Sequence, residues 1–397
     1  MDALTTPSNW QKVRLGDIAE IIGGGTPSTQ ITSFWNGSIN WFTPTEIGIT
    51  KYVYKSQRTI TPLGLKKSSA KLLPIGTILL TSRASIGDCA ILKVVATTNQ
   101  GFQSLIPLEK INNEFLYYLM LTLKNKLLKL ASGSTFLEVS PNKIKNLLIP
   151  LPPLNEQIAI ANILSDVDHY LYSLDALILK KESVKKALSF ELLSQRKRLK
   201  GFNQNWKKVR LGDICEFGNG GAYETLIVEN GNFKLISLNS IDIDGNLKNT
   251  MKRVNFYDNS LKQDDIVMVL SDVAHGDFLG LCAVIPSNDY VLNQRMGRLR
   301  IRNDCINILF LRLYVNANQK YFKMQGQGSS QLNLSKKAIE DFEIPLPPLN
   351  EQIAIANILS GLDHEIISLK NKKRQFENIK KALNHDLMSA KIKVLNK

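Results

Sequence analysis

A segment of seventeen residues occurs twice in this chain without a single difference. Residues 149–165 read IPLPPLNEQIAIANILS, and residues 344–360 repeat them within a chain of 397 residues. A second echo lies earlier in each half, where residues 10–20 (WQKVRLGDIAE) and 206–216 (WKKVRLGDICE) agree at nine of eleven positions. We therefore expect two homologous halves with a pseudo-two-fold relationship, in which the repeated motifs enclose sequences that differ between the halves.

The composition is that of an ordinary globular protein, with 44% hydrophobic and 21% charged residues. No run of eighteen apolar residues occurs, and the first residues lack a signal-peptide pattern, so the sequence predicts a cytoplasmic protein. The four cysteines are isolated, which favours buried free thiols over a metal site or a disulfide framework. We expect no metal or cofactor in the chain itself.

The net charge of +15 favours a polyanionic partner, because neutralising phosphates releases condensed counterions. The excess is uneven. Residues 1–154 carry 16 Lys and Arg against 8 Asp and Glu, whereas residues 201–349 carry 17 against 16. Phosphate attraction is therefore not expected to be shared equally by the two halves, and simple solubility charge remains an alternative for part of the excess.

Each copy of the repeated motif leads into a long amphipathic helix. The prolines of LPPL stop any strand, and apolar residues then recur at steps of four and three, as in a coiled coil. The sequence predicts four segments: residues 1–154, a helix over 155–200, residues 201–349, and a helix over 350–397. The two helices most simply pair with each other; the alternative is that each pairs with a separate partner protein.

The two globular segments are expected to be mixed α/β domains with homologous folds and divergent surfaces. Short apolar runs at 76–80 and 90–95 predict strands, and residues 113–130 predict a helix. In the second segment, 235–238 and 265–270 predict strands and 307–321 a helix. Asn-Gln recurs at 99–100 and 293–294, and this recurrence in both halves indicates a structural turn.

No catalytic motif accompanies this architecture. The N/D-PP-Y/F motif of a base methyltransferase is missing, and GGGTPST at 23–29 lacks the GK[ST] of a nucleotide-binding loop. Asp272, His275 and Asp277 fall within six residues, but a polar loop is favoured there over a metal or catalytic site. The missing motifs count against a catalytic role, and the family resemblance described next implies a chain without a catalytic site.

The order of motifs resembles the specificity subunit of Type I restriction–modification systems. WxKVRLGDI, GGGTPST, TSRASIGDCAIL, TNQGF and IPLPPLNEQIAIANIL are followed by a long helix, and the cycle then repeats. The resemblance implies two target recognition domains, each reading half of a bipartite DNA site, and two antiparallel coiled-coil helices that set the spacing. It also implies docking of two adenine-N6 methyltransferase subunits, with S-adenosylmethionine, Mg²⁺ and ATP confined to partner subunits, and a restriction and translocation subunit joining that core.

Base readout requires donor and acceptor side chains on rigid loops, with Lys and Arg on phosphates to fix the register. Arg83 is open to either role, a guanine contact or a phosphate contact. The alternating arginines of 295–302 predict a strand with one charged face, which either lines a DNA backbone or is simply solvated. The DNA-binding candidates are Thr26, Ser28, Thr29, Thr43, Ser82, Arg83, Lys252, Arg253, Arg295, Arg298, Arg300, Gln327, Ser329, Ser330 and Lys336.

A second set of candidates lies in the repeated motif and the helix after it, where the resemblance places partner docking and the spacer. These residues are Leu154, Glu156, Gln157, Ile160, Leu164, Leu171, Leu349, Glu351, Gln352, Ile355, Leu359 and Ile366. Two other function classes remain open from the residues alone: a self-contained DNA modification enzyme, and a coiled-coil adaptor with no DNA role.

Overall fold

The computed structural model describes residues 9–133, 137–273 and 276–394, which form two compact units. Unit 1 combines the described residues of Met1–Asp175 and Asn371–Lys397, and unit 2 is made of those of Ala176–Lys370. The unit boundaries fall inside the two long helices, because half of each helix packs against each globular part. The sequence-based bounds follow the repeat instead and remain a proposal for how the chain divides by function.

Unit 1 contains a five-stranded sheet in the order β2-β9-β6-β7-β4, a three-stranded sheet β5-β3-β8 and a ribbon β1-β10. Its strands are β1 Gln11–Arg14, β2 Ala19–Gly23, β3 Trp35–Phe42, β4 Tyr52–Val53, β5 Arg58–Ile60, β6 Ile78–Leu80, β7 Cys89–Leu92, β8 Ala96–Thr98, β9 Gln103–Pro107 and β10 Leu148–Leu151. Its helices are α1 Pro62–Lys66, α2 Asn113–Leu130, α3 Pro141–Lys145, the part of α4 Leu154–Leu193 up to Asp175, and the part of α9 Leu349–Met388 from Asn371 onward.

Unit 2 repeats this plan with a four-stranded sheet β12-β19-β15-β17, a three-stranded sheet β14-β13-β18, and ribbons β11-β21 and β16-β20. Its strands are β11 Lys207–Arg210, β12 Cys215–Asn219, β13 Phe233–Ile236, β14 Arg253–Val254, β15 Ile266–Val269, β16 Ser271–Val273, β17 Cys282–Val284, β18 Tyr290–Leu292, β19 Met296–Ile301, β20 Gln331–Asn333 and β21 Glu343–Leu346. Its helices are α5 Leu211–Ile214, α6 Ile308–Ala317, α7 Gln319–Gln325, α8 Lys336–Glu340, the part of α4 from Ala176 onward, and the part of α9 up to Lys370.

The mixed α/β tandem repeat with long helices is confirmed. The helix expected over 113–130 has those bounds as α2, which Asn112 caps by accepting the N–H of Phe115. The helix expected over 307–321 is instead split at Asn318, whose amide nitrogen bonds the carbonyl oxygen of Tyr314 at 2.8 Å. No helix of the described residues is long and apolar enough to cross a membrane.

The two repeated sequences are structural partners of each other within each unit. In unit 1, β1 pairs antiparallel with β10, so that Gln11 faces Leu151 and Arg14 faces Leu148. In unit 2, β11 pairs with β21 in the same way. The KVR and IPL segments therefore recur together because each completes the other's ribbon.

The glutamine of the motif holds the start of each long helix to the globular part. Gln157 is buried; its Nε2 donates to the carbonyl oxygens of Lys110 (3.1 Å) and Pro152 (2.9 Å), and its Oε1 accepts the N–H of Asn112 (2.9 Å). Gln352 repeats all three bonds in unit 2, at 3.0, 2.8 and 2.8 Å, with the partners Cys305, Pro347 and Asn307.

The two long helices pair antiparallel within each unit. In unit 1, Asp168 bonds Lys380, Asp175 lies 2.6 Å from Lys373, and the rings of Tyr170 and Phe376 are 4.6 Å apart. In unit 2, Asp363 bonds Lys185, and Glu182 lies 2.7 Å from Lys370. The expectation that the two seams pair with each other is confirmed.

Both helices end earlier than the sequence suggested, at Leu193 and Met388 rather than at 200 and 397. Two residues beyond each end, Gln195 and Ala390 take φ values of 62° and 57°. This left-handed conformation stops the helix in both places, although neither residue is a glycine.

Candidate nucleic-acid interface

The Asn-Gln turn is the point at which the loops of unit 1 meet. It lies between β8 and β9, and its backbone binds the ends of three other segments. The bonds, all main chain to main chain, are Asn99 N to Phe42 O (3.0 Å), Gly25 N to Thr98 O (2.9 Å), Gly24 N to Phe102 O (3.4 Å) and Ser82 N to Gly101 O (2.8 Å).

Unit 2 makes the same four bonds with other residues. They are Asn293 N to Ile236 O (3.0 Å), Gly221 N to Leu292 O (3.1 Å), Gly220 N to Met296 O (3.3 Å) and Leu270 N to Arg295 O (3.1 Å). The structural role expected for Asn-Gln is confirmed, and the matching bonds define which residues of the two units are equivalent. We call the segments 99–102 and 293–296 the hubs.

The glycines before each hub are required by close packing. A Cβ on Gly24 would lie 1.8 Å from the carbonyl oxygen of Asn99, and one on Gly220 would lie 2.3 Å from that of Asn293. Trp41 and Trp35 hold the loop that follows in unit 1 by donating to the carbonyl oxygens of Gly25 (2.9 Å) and Ser28 (3.0 Å). GGGTPST is thus a loop clamped against the hub, and its side chains project from a fixed backbone.

The candidates of unit 1 divide by exposure. Ser28 and Thr29 are exposed on the clamped loop, and Thr26 is half-buried, with its hydroxyl bonded to Gln100. Thr43 caps a short turn through Glu46, which accepts both its N–H and its hydroxyl at 2.8 Å. Ser82 is buried, so its hydroxyl does not reach the surface on which a DNA contact was expected.

Arg83 and Glu138 form an ion pair of 2.8 Å beside the hub, and both stay partly exposed. Their equivalents in unit 2 are Ser271 and Asn333, because Ser82 and Leu270 bond the hubs and accept from Val139 and Leu334 in the same way. Ser271 donates to the Asn333 side chain at 2.6 Å. One position of the frame therefore carries a charged pair in one unit and a neutral pair in the other.

The charged strand face expected over 295–302 is largely neutralised within unit 2. Arg298 bonds Glu216 and the carbonyl oxygen of Ser260, and Arg300 binds buried Asp265 with two bonds of 2.8 and 2.7 Å. That carboxylate raises the pKa of Arg300 further above its ordinary value. Neither arginine has its charge free for a phosphate, which corrects the expectation for both. Arg295, by contrast, is exposed.

The other candidates of unit 2 lie in two places. Lys252 is exposed, whereas Arg253 donates to the carbonyl oxygen of Gly231 at 3.0 Å. Gln327 pairs with Asn333 at the base of a hairpin, with Ser329 and Ser330 exposed at its tip. Lys336 begins α8 and lies 3.6 Å from Glu340, an exposed i,i+4 pair that leaves its ammonium available.

A cleft of about 370 Å³ brings some of these residues together. Arg295, Ser330 and Gln331 line it with Asn239 and Lys248, two polar residues that the sequence reading did not select. Its apolar wall is made by Leu238, Val269 and Phe278. These residues are spread over almost a hundred positions of the chain, so the sequence does not show that they share one cleft.

Asp272 also lines the cleft, but it serves the loop. One of its oxygens accepts the N–H of Val273 and the other that of Phe278, at 2.8 and 2.7 Å. His275 lies outside the described residues. Among the described residues, no group of three or more His, Cys, Asp and Glu side chains is placed to hold a metal ion.

A basic surface of unit 1 was missed by sequence analysis. Lys67 and Lys71 flank the segment Ser69–Ala70, which packs against Gly25 so closely that a Cβ there would meet Ala70 N at 2.3 Å. Within the described residues, Lys66, Lys67 and Lys71 take part in no ion pair. Nearby in the same unit, the guanidinium of Arg58 lies 3.8 Å from the Trp35 ring centroid. The excess of Lys and Arg in residues 1–154 indicated that the first half has a basic surface, but it did not show which residues form it.

The repeated motif separates into a buried set and an exposed set. Most of its candidates are buried inside their own unit: Glu156, Gln157, Ile160, Leu164, Glu351, Gln352, Ile355, Leu359 and Ile366. Their burial suits the spacer role that the sequence suggested for this set, and a direct contact of these side chains with a partner stays a prediction. Glu351, for example, accepts from Arg198 and Trp206. Leu171 is half-buried in the helix pair.

The exposed set comprises one face of each helix start, with Leu154 and Leu349 as the two candidates in it. Ile158 and Asn162 continue this face at steps of four and are repeated as Ile353 and Asn357, and all of these are exposed. These residues lie outside the apolar seam of the helices, yet they are identical in the two copies of the motif. That identity is the sequence signal that could have identified them. Packing alone does not demand identical residues at exposed positions.

A family model described as the Type I restriction modification DNA specificity domain matches residues 7–181 and again residues 203–378. The Type I restriction enzyme MjaIX specificity subunit of Methanocaldococcus jannaschii is 34% identical over 252 residues, which are 58% of this chain and 57% of that relative. The MjaVIII specificity subunit of the same organism is 28% identical over 425 residues, all of this chain and 96% of its own. The crystal structure of a Type I S subunit from M. genitalium has this fold over 98% of both chains, with a TM-score of 0.62 at 19% identity.

Proposed function

The chain belongs to the Type I restriction–modification specificity subunits, and from this membership we propose that it directs a methyltransferase complex to a bipartite, asymmetric DNA site. Each globular part reads one half-site, and the long helices set the gap between the two. The chain is non-catalytic; two adenine-N6 methyltransferase subunits supply the chemistry, and restriction subunits join that core.

Two different half-sites are supported by the contrast between the hubs and their surroundings. The same four backbone bonds fix the loops in both units, whereas the side chains at equivalent positions differ, as Arg83 and Glu138 differ from Ser271 and Asn333. A fixed backbone with divergent donors and acceptors suits direct readout of different base edges. This contrast is the observation that carries the proposal.

Docking of two identical partners is supported by the exposed set of the motif. Leu154, Ile158 and Asn162 are repeated at exposed positions of α9, and an apolar surface repeated in this way suits two copies of one protein. The spacer role is supported by helix length, since 40 residues extend roughly 60 Å at about 1.5 Å per residue.

The test of the reading role is a map of N6-methyladenine in a host without adenine methylation that expresses the chain with its methyltransferase subunit. We expect one bipartite, asymmetric motif, methylated on both strands, that disappears when the chain is left out. A short contiguous motif, or methylation that does not depend on the chain, would contradict the proposal.

The test of docking uses the double variant I158S/I353S. Both side chains are exposed, so the variant should fold normally and lose co-purification with the methyltransferase subunit. Tyr172→Ser is the matched control, because Tyr172 is exposed on the same helix but its counterpart is Ile367. Equal retention by both variants would remove the exposed set from the docking surface.

A further inference from the structure

Resting on the proposed function, we propose that the cleft beside the hub of unit 2 is a base-reading site in which Arg295 selects a guanine. The sequence alone suggested either a contact with the DNA backbone or a simply solvated charge for this residue. Three features of the structure distinguish Arg295 from the neighbouring Arg298 and Arg300: its lack of an ion-pair partner among the described residues, its position in the hub and the cleft that it lines.

Arg295 keeps its charge available. Arg298 and Arg300 on the same strand are bound to Glu216 and Asp265, whereas among the described residues Arg295 forms no ion pair. Among the described residues that line the cleft, Asp272 is the one carboxylate, and each of its oxygens accepts a backbone N–H group. The charge of Arg295 acts on nearby Glu224, whose pKa is lowered mainly by a backbone hydrogen bond and also by Arg295, but no carboxylate lies within ion-pair distance among the described residues. The guanidinium donors can therefore bind acceptors that arrive with a ligand.

The backbone of Arg295 is held rigidly. Its carbonyl oxygen accepts the N–H of Leu270 at 3.1 Å, and the residue that follows, Met296, is fully buried in strand β19. The equivalent hub position in unit 1 is Gly101, which has no side chain to read with. A reading group on a backbone fixed this way meets the geometric demand of direct readout, and its absence from unit 1 fits a second half-site of different sequence.

The cleft suits the edge of a base. The cleft of about 370 Å³ is lined by amide, hydroxyl and ammonium groups of Asn239, Lys248, Ser330 and Gln331 together with the apolar side chains named above. In the major groove, the O6 and N7 acceptors of guanine match the two-pronged donor of an arginine. Asp272, the carboxylate beside Arg295 in the cleft, is used to hold its own loop through the N–H groups of Val273 and Phe278.

The test compares methylation motifs made by complexes of the full chain carrying Arg295→Gln, Arg295→Lys or Arg302→Gln. We expect both Arg295 variants to lose preference for one guanine of one half-site, by roughly 5- to 150-fold, with the other half-site and the gap unchanged. The lysine variant keeps the charge but not the two-pronged geometry. Arg302→Gln, an exposed change beyond the far end of β19, should leave the motif as it is.

A binding measurement then tests whether Arg295 contacts the affected guanine directly. Replacing the affected guanine by 7-deazaguanine removes N7, so it should weaken the wild-type complex and leave the R295Q complex unaffected. An unchanged motif in both Arg295 variants overturns the assignment, as does weakening across all sequences with a smaller salt dependence, which marks a phosphate contact. A wild-type chain that yields no bipartite motif overturns the proposed function itself, and this assignment with it.

Discussion

Replacing Gln157 or Gln352 by alanine should destabilise the protein strongly and to the same extent. Each side chain holds one backbone N–H and two backbone carbonyl groups in a buried position. Leaving a buried polar group without its partner costs about 1–3 kcal/mol, and carbonyls tolerate this better than N–H groups. Three such groups give a loss of about 3–5 kcal/mol of unfolding free energy for the affected unit.

The loss should be confined to the unit that carries the change. Hydrogen exchange measured by mass spectrometry reports on the two units separately, and we expect lower protection of α2 in Q157A and of α6 in Q352A. Urea unfolding gives the free energies. Asn162→Ala and Asn357→Ala are the matched controls, since both residues are exposed in the same motif; alanine there should change stability by no more than about 0.5 kcal/mol.

Two results would refute this reasoning. A loss below about 1 kcal/mol in both variants would mean that water replaces the glutamine bonds without cost. A difference of several kcal/mol between Q157A and Q352A would mean that the matching bonds do not carry matching energies, and the repeated glutamine would then have to be explained by something other than its contacts.

Three further predictions follow from charge, helix geometry and burial. Lys66, Lys67 and Lys71, the basic surface of unit 1, are changed to glutamine, and DNA binding of the assembled complex is titrated at several salt concentrations. The slope of the logarithm of the binding constant against the logarithm of the salt concentration should fall in magnitude by about 2.7, at about 0.9 per phosphate contact. Glutamine at Lys12, Lys129 and Lys145 should reduce this slope far less. Inserting four residues after Ser173 should lengthen the gap in the methylation motif without altering either half-site, and an unchanged gap would refute the spacer role. Burial raises the pKa of the Cys89 and Cys215 thiols to about 12 and raises that of Cys282 further. At pH 8 about one in ten thousand of the first two is thiolate, so a thiol reagent should modify exposed Cys305 rapidly and the others only on unfolding.

The sequence predicted best what depends on local spacing. The helix of 113–130 could be read to the residue, because its apolar period and its Asn112 cap are local. The helix pairing followed from two seams of similar length. Asn318 interrupts the second predicted helix because its side chain bonds back to Tyr314, an alternative to the helix that periodicity does not reveal.

The candidate site was predictable only in outline. Alternation placed Arg298 and Arg300 on one strand face correctly, but their carboxylate partners lie 82 and 35 residues away in the chain. Ser82 lies two residues beyond strand β6, and its main chain bonds the hub at Gly101, a tertiary contact that spacing does not disclose. The cleft around Arg295 joins segments that meet only through tertiary structure.

The hubs have a consequence for how such a protein can change. Their bonds run from main chain to main chain, so the loops stay in place whichever side chains they carry, apart from the glycines that close packing requires. Mutations at 83, 138 or 295, where the side chains are at least partly exposed, can therefore accumulate with little penalty in stability. A library randomised at these positions should fold for the most part, which makes the frame a tolerant scaffold from which new sequence preferences can be selected, one half at a time.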